Sequence, residues 1–291
     1  MEEKKKINRK KVLYYGLLGL FSLVFICSAI YIGAYFWDSH KAKSDYDDLA
    51  DLRDDILNQQ TTPPETTAPP ETTVPGSTQP PASTDDPTEP PVTTEPGEPT
   101  ILPELVPLYE MNNDLVGWIC FPGTKLNYPV VQTPDDPNYY LYRNFYKEDS
   151  RWGAIYANEM CDINKPSDNV TLYGHNMKDN TMFGILDNYQ WKDYWEEHQT
   201  FTFDTLYERR TFKIFAVFRT TAIAETGFQY HSFIDADSEE EFNKFISRIK
   251  RLDYYDTGIT PVYGDKIVCL STCEYTQTHG RFVVCGVWVD E

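Results

Sequence analysis

At 291 residues the chain has length enough for two domains, but its apolar, Pro-rich and aromatic residues are so unevenly spread that length alone misleads. A formal net charge of -19 argues against a nucleic-acid partner, because a phosphate-binding surface needs a basic patch and none occurs beyond the N-terminus. The six cysteines, Cys27, Cys120, Cys161, Cys269, Cys273 and Cys285, contain no CxxC pair, so a zinc site is not expected; the sequence shows no other metal-ligand cluster, and no cofactor is expected. Residues 1–11, MEEKKKINRKK, form a basic tail, and no charged residue follows from Val12 to Trp37. Those 26 residues suffice to span a hydrocarbon core of roughly 30 Å. The basic flank places the N-terminus in the cytoplasm and the remainder outside a single-pass anchor. A cleaved signal peptide competes with this reading, but its apolar core is shorter and ends on small residues. Here the span runs into Tyr35, Phe36 and Trp37, as an interface belt does.

Residues 38–57 are charged, with Leu49, Leu52 and Ile56 at helical spacing; they read as a short juxtamembrane helix, solvated and without a partner. Residues 58–100 are dominated by Thr, Pro and Glu, with the hexads TTPPET, TAPPET and TVPGST from Thr61. Such a tract buries too little apolar surface to offset the entropy of ordering it. As polyproline-like chain at about 3.1 Å per residue it reaches on the order of 100 Å, a disordered stalk lifting the C-terminal part of the chain from the bilayer.

The globular part takes residues 101–291. Short β-type runs recur: VGWICF, YPVVQ, YYLYRNF, WGAIYA, NVTLYG, TFTF, TFKIFAVFRTTAIA and two terminal strands, with turn residues such as Pro122, Gly123, Pro134, Gly153 and Gly264 between them. Many short strands point to a barrel or a sandwich. Helices are expected over Pro103–Asn113, Thr181–Tyr189 and Ser238–Leu252. In the last, Ser238 and Glu241 form a capping box, and Phe242, Phe245, Ile246 and Ile249 share one face.

The last two strands come from KIVCLSTCEYTQTHGRFVVCGVWV, residues 266–289. Cys273 stands where the first apolar run ends and Arg281 where the second begins, so an antiparallel pair brings thiol and guanidinium to one hairpin mouth. A half-buried Cys beside a surface Arg would look the same. A nucleophilic cysteine also needs a group to carry the proton. Of five histidines, His40 and His198 lie in polar helical stretches, His231 in a loop, and His279 in the hairpin connection. His175 ends the run NVTLYG, where a strand delivers it to an edge. Cys269 and Cys285 sit inside apolar runs as small core residues rather than a disulfide, and Cys120 and Cys161 also read as structural.

TLYGHN at 171–176, NTMFGILDNY after it, and LSTC at 270–273 followed by Arg281 resemble the sortase transpeptidases, and class B among them. The resemblance extends from about Leu102 to the C-terminus and includes NYYLYRNF and GAIYAN. It implies a mainly β, sortase-like closed barrel of about eight strands with a few peripheral helices. It implies Cys273 as nucleophile, His175 as acid/base and Arg281 as stabiliser of the substrate carbonyl. Ser271, Thr272 and Glu274, with Leu141 and Asn144, match positions lining the peptide groove. The implied reaction cuts a C-terminal sorting motif of surface proteins, of the LPxTG or NPQTN kind, after Thr. The acyl group then passes to a peptidoglycan amine outside the membrane of a Gram-positive cell. A pilin Lys as acceptor, and a silent stalked binding module, are the alternatives. The short loop between Cys273 and Arg281 departs from the family pattern.

Overall fold

The computed structural model describes residues 9–61 and 99–289. Its first element, α1 (Arg9–Thr61), is one helix of 53 residues, so the apolar span and the juxtamembrane segment form a single rod. The apolar part is long and apolar enough to cross a membrane, and its most apolar window buries nothing against the protein. Of the Thr/Pro tract expected as a stalk over 58–100, residues 58–61 continue α1 as helix instead, and 62–98 lie outside the described residues.

Among the described residues, eight strands follow the tract. They are β1 (Leu115–Cys120), β2 (Asn127–Val131), β3 (Ile155–Ala157), β4 (Asn169–Tyr173), β5 (Thr200–Thr205), β6 (Thr211–Thr221), β7 (Ile267–Glu274) and β8 (Gly280–Val289). They close into a barrel in the order β1-β2-β3-β4-β7-β8-β6-β5, with β5 returning to pair β1. The β2/β3 and β4/β7 pairs are parallel and the remainder antiparallel.

The unbroken apolar run IVCL in β7 follows from burial on both faces. Val268 and Leu270 point into the barrel beside Leu172, Phe282 and Val284. Ile267 and Cys269 face outward, under Phe242, Phe245, Ile246 and Ile249 of α4 (Glu239–Leu252). That helix starts as its sequence dictates: Ser238 accepts the Glu241 N–H at 3.3 Å, while the Glu241 carboxylate accepts the N–H of Asp237. The two remaining α-helices, α2 (Val106–Met111) and α3 (Lys192–Glu197), are short.

Three expectations are corrected. YYLYRNF is not a strand; Tyr139–Tyr142 form a 3-10 turn, because the buried Tyr140 hydroxyl is claimed by Asp114 at 2.7 Å and by the Asn112 side-chain amide at 2.8 Å. The helix expected over Thr181–Tyr189 is a 3-10 segment, Gly184–Gln190. The juxtamembrane part of α1 is not without a partner: one of its faces is docked while the other stays exposed. Ala42, Tyr46, Leu49 and Arg53, spaced along one helix face, are buried on the barrel wall. The Tyr46 hydroxyl donates to the Gly153 carbonyl at 2.7 Å. The Arg53 guanidinium donates to Asp204 at 3.1 Å and lies 5.2 Å from the Trp118 ring centre. At the surface, Lys41 pairs with Glu148 at 2.9 Å.

Candidate active site

β7 carries Cys273 to the barrel rim half-exposed. Its antiparallel partner β8 sets Arg281 directly opposite, in the register Cys273↔Arg281. Cross-strand neighbours on one face lie close enough to interact, and Arg281 Nη1 is 4.0 Å from Cys273 Sγ. The same nitrogen donates to the Gly280 carbonyl at 2.9 Å, which fixes where the guanidinium points. The loop between them is five residues, 275–279, with His279 in a left-handed conformation (φ 53°) and Tyr275 exposed.

The parallel ladder of β4 on β7 ends at Tyr173↔Ser271, and the next contacts extend it past the strand. Gly174 N–H donates to the Ser271 carbonyl at 3.2 Å, and the Thr272 hydroxyl donates to the Gly174 carbonyl at 2.8 Å. The Asn176 amide donates to the Cys273 carbonyl at 2.9 Å and to Asp187 at 2.8 Å. Both chain neighbours of His175 are thus tied to the strand that carries Cys273. Position 174 has to be glycine, since a Cβ there would come within 2.5 Å of Ile155 Cδ1 and 2.8 Å of the Phe183 ring. His175 Nε2 lies 2.6 Å from the Leu141 carbonyl. A carbonyl only accepts, so Nε2 carries the hydrogen in that contact and Nδ1 is the nitrogen left to take or give a proton. The Tyr142 ring flanks the imidazole at 5.8 Å.

A sortase-domain family model matches residues 119–289. Two curated relatives named Sortase B, from Staphylococcus aureus and Listeria monocytogenes, are 33% and 34% identical over 186 and 192 residues. Each match takes in 63% of this chain, and it covers 74% and 73% of the respective relative. The chain belongs to the sortase family, class B. A solved sortase B–substrate complex from Staphylococcus aureus shares the fold, with a TM-score of 0.68 at 24% identity, covering 87% of this chain and 99% of that one. This sortase is therefore a cysteine transpeptidase acting on the sorting motifs of surface proteins.

Of the five groove residues anticipated from the sequence, Ser271, Thr272, Glu274 and Asn144 are buried and Leu141 is half-buried. Ser271 lies on the same outward face of β7 as Cys273, two residues along, but it is buried and its hydroxyl is hydrogen-bonded to Tyr230. Leu141 contributes its carbonyl to His175. Thr272 braces Gly174. Glu274 is buried and turned toward the 275–279 loop, accepting the Thr276 N–H at 2.8 Å, with Arg219 Nε 3.9 Å away. Asn144 is buried and accepts the Glu148 N–H at 3.0 Å, bracing its own turn.

Other residues come to this rim without a local sequence signal. Tyr156 of β3 lies within electrostatic reach of both Arg281 and Cys273. Burial is the main influence on its phenol and pushes it up to about 12, against the pull of the Arg281 charge. His231, in the 3-10 turn Tyr230–Ser232, is half-buried. Burial and then the Arg281 charge lower its pKa, so its imidazole is held neutral. Read as a surface loop residue, His231 reaches the rim because Asn169 binds the Tyr230 and Phe233 carbonyls at 3.0 and 2.7 Å. Cys269 and Cys285 are buried free thiols under α4, with sulfurs 3.0 Å apart.

Proposed function

We propose that this sortase is held by the apolar part of α1 in the cell membrane, with its barrel on the cell-wall side. There it cuts a C-terminal sorting motif of the LPxTG or NPQTN kind after Thr and joins the new carboxyl terminus to a peptidoglycan amine. The observation that carries the reading is the Cys273–Arg281 register pair, 4.0 Å apart, with both neighbours of His175 hydrogen-bonded to the same strand.

The Cys273 thiolate attacks the Thr carbonyl carbon, and the carbonyl π electrons move to oxygen. Arg281 offers fixed donors where that charge collects. As the tetrahedral adduct collapses, the C–N bond breaks and protonated His175 delivers its Nδ1 proton to the departing amine. A thioester remains on Cys273. His175, now neutral, takes a proton from the incoming amine as it attacks; a second tetrahedral adduct expels the thiolate and leaves an amide. The enzyme returns with its imidazolium and thiolate restored.

The test incubates the full-length chain in detergent micelles with sorting-motif peptides and amine acceptors, read by mass spectrometry. Cleavage after Thr with amide formation on a peptidoglycan-type amine is expected, and Cys273→Ala is expected to give neither product. Cleavage by Cys273→Ala equal to the parent removes the assignment. Products formed only with a pilin Lys move the acceptor to pilus assembly.

A further inference from the structure

The docked half of α1 reaches the supports of His175 from two directions. From one side, the Tyr46 hydroxyl donates to the Gly153 carbonyl at 2.7 Å. Gly153 has φ +58° and lies against the imidazole: a Cβ there would stand 3.1 Å from His175 Cδ2 and 2.6 Å from the Leu141 carbonyl, the oxygen that binds His175 Nε2. The next residue closes the same turn, Ala154 N–H donating to the Tyr140 carbonyl at 3.1 Å. From the other side, the Tyr46 ring packs edge-on against Tyr128, with centroids 5.3 Å apart. The Tyr128 hydroxyl accepts the N–H of Met182, which bridges Asn176, and Phe183 N–H donates to the His175 carbonyl at 3.0 Å.

We infer that Tyr46 is a positioning residue for the transpeptidation: through Gly153 and through Tyr128 it fixes the ring and the backbone of His175, so the juxtamembrane helix completes the active site. This rests on His175 being the acid–base residue. Burial keeps the Tyr46 phenol far above its usual range, so it stays a donor at working pH. A proton-transfer group has to be held within a fraction of an ångström of its productive place, and a shift near 1 Å costs orders of magnitude in rate. The Gly153 carbonyl loses its side-chain donor when the hydroxyl is removed, while the ring contact with Tyr128 remains.

Tyr46→Phe in the full chain, in micelles, tests this, with Ser44→Ala on the exposed face of the same helix as control. We expect kcat for peptide cleavage to fall about tenfold with KM within about twofold, because the peptide is still bound and only the proton relay is disturbed. The ring signals of His175, followed by NMR with labelled histidine, are expected to broaden in Tyr46→Phe and to stay sharp in Ser44→Ala. Unchanged kcat, or a fall in kcat with lost thermal stability and undisturbed His175 signals, overturns the inference. Should the parent chain cleave no peptide, the proposed function fails, while the His175 signals still decide whether Tyr46 positions that ring.

Discussion

Single residues at the rim are held by unlike means, and each has its own signature. His231 has its pKa depressed by burial and by Arg281. Arg281→Gln removes the second influence, so the NMR titration midpoint of His231 is expected to rise while staying below the value of a solvent-exposed imidazole. Because the folded pKa lies under the unfolded one, His231 contributes stability that is present above about pH 6.5 and is lost as pH falls through the folded pKa. Gly153 is a different constraint, one of backbone shape. Its φ of +58° and the 2.6 Å approach to the Leu141 carbonyl leave no room for a methyl group. Gly153→Ala is expected to cost about 2 kcal/mol in denaturant unfolding, with a loss of kcat as the grip on His175 distorts. Of these rim residues, Cys273, His175 and Arg281 stand out in the sequence because each bounds an apolar strand run, while the roles given to them come from the resemblance to the sortases. Gly153 reads in the sequence only as a turn, His231 only as a loop residue and Tyr156 only as part of the WGAIYA run; nothing local puts them at the rim, since contacts across 40 or more residues leave no local period.

At the scale of elements, local pattern succeeded where one face is buried against one neighbour. The α4 stripe and its cap are an example, and Ser238→Ala is expected to lower stability by about 1 kcal/mol with kcat of the folded enzyme unchanged, measured by thermal melts and peptide cleavage. The pattern failed where a remote polar group decided the backbone. YYLYRNF has the aromatic content of a strand, yet Asp114 and Asn112 pin Tyr140 into a turn. Residues 38–57 show the same limit. Their Leu spacing announced a helix, but the stripe Ala42, Tyr46, Leu49 and Arg53 mixes apolar with polar residues. The partners that bury Tyr46 and Arg53, the Gly153 carbonyl and Asp204, stand more than a hundred positions away.

Across the whole molecule, the barrel and α1 are joined by a buried charge pair. Burial is the first influence on Asp204 and raises its pKa, with the Arg53 charge pulling against it. A folded pKa above the unfolded one means that the contribution to stability is full below about pH 4 and is lost as pH rises through the folded value. Arg53→Met removes the nearest opposing charge and leaves the buried Asp204 carboxylate with the Arg210 N–H at 3.3 Å and the weaker pull of Arg209. Unfolding in guanidinium is expected to show a deficit of about 3 kcal/mol at neutral pH that shrinks toward pH 4. The distribution of thiols along the same barrel gives it an internal chronometer. Cys161, whose thiol burial pushes up to about 12, and the adjoining pair Cys269 and Cys285 are sealed from solvent, whereas Cys273 is half-open on the rim. In an alkylation time course followed by peptide mapping, modification of Cys273 runs on the clock of the native enzyme. Those three sulfurs are consumed only as fast as the barrel itself comes apart, so one sample reports active-site access and global opening together.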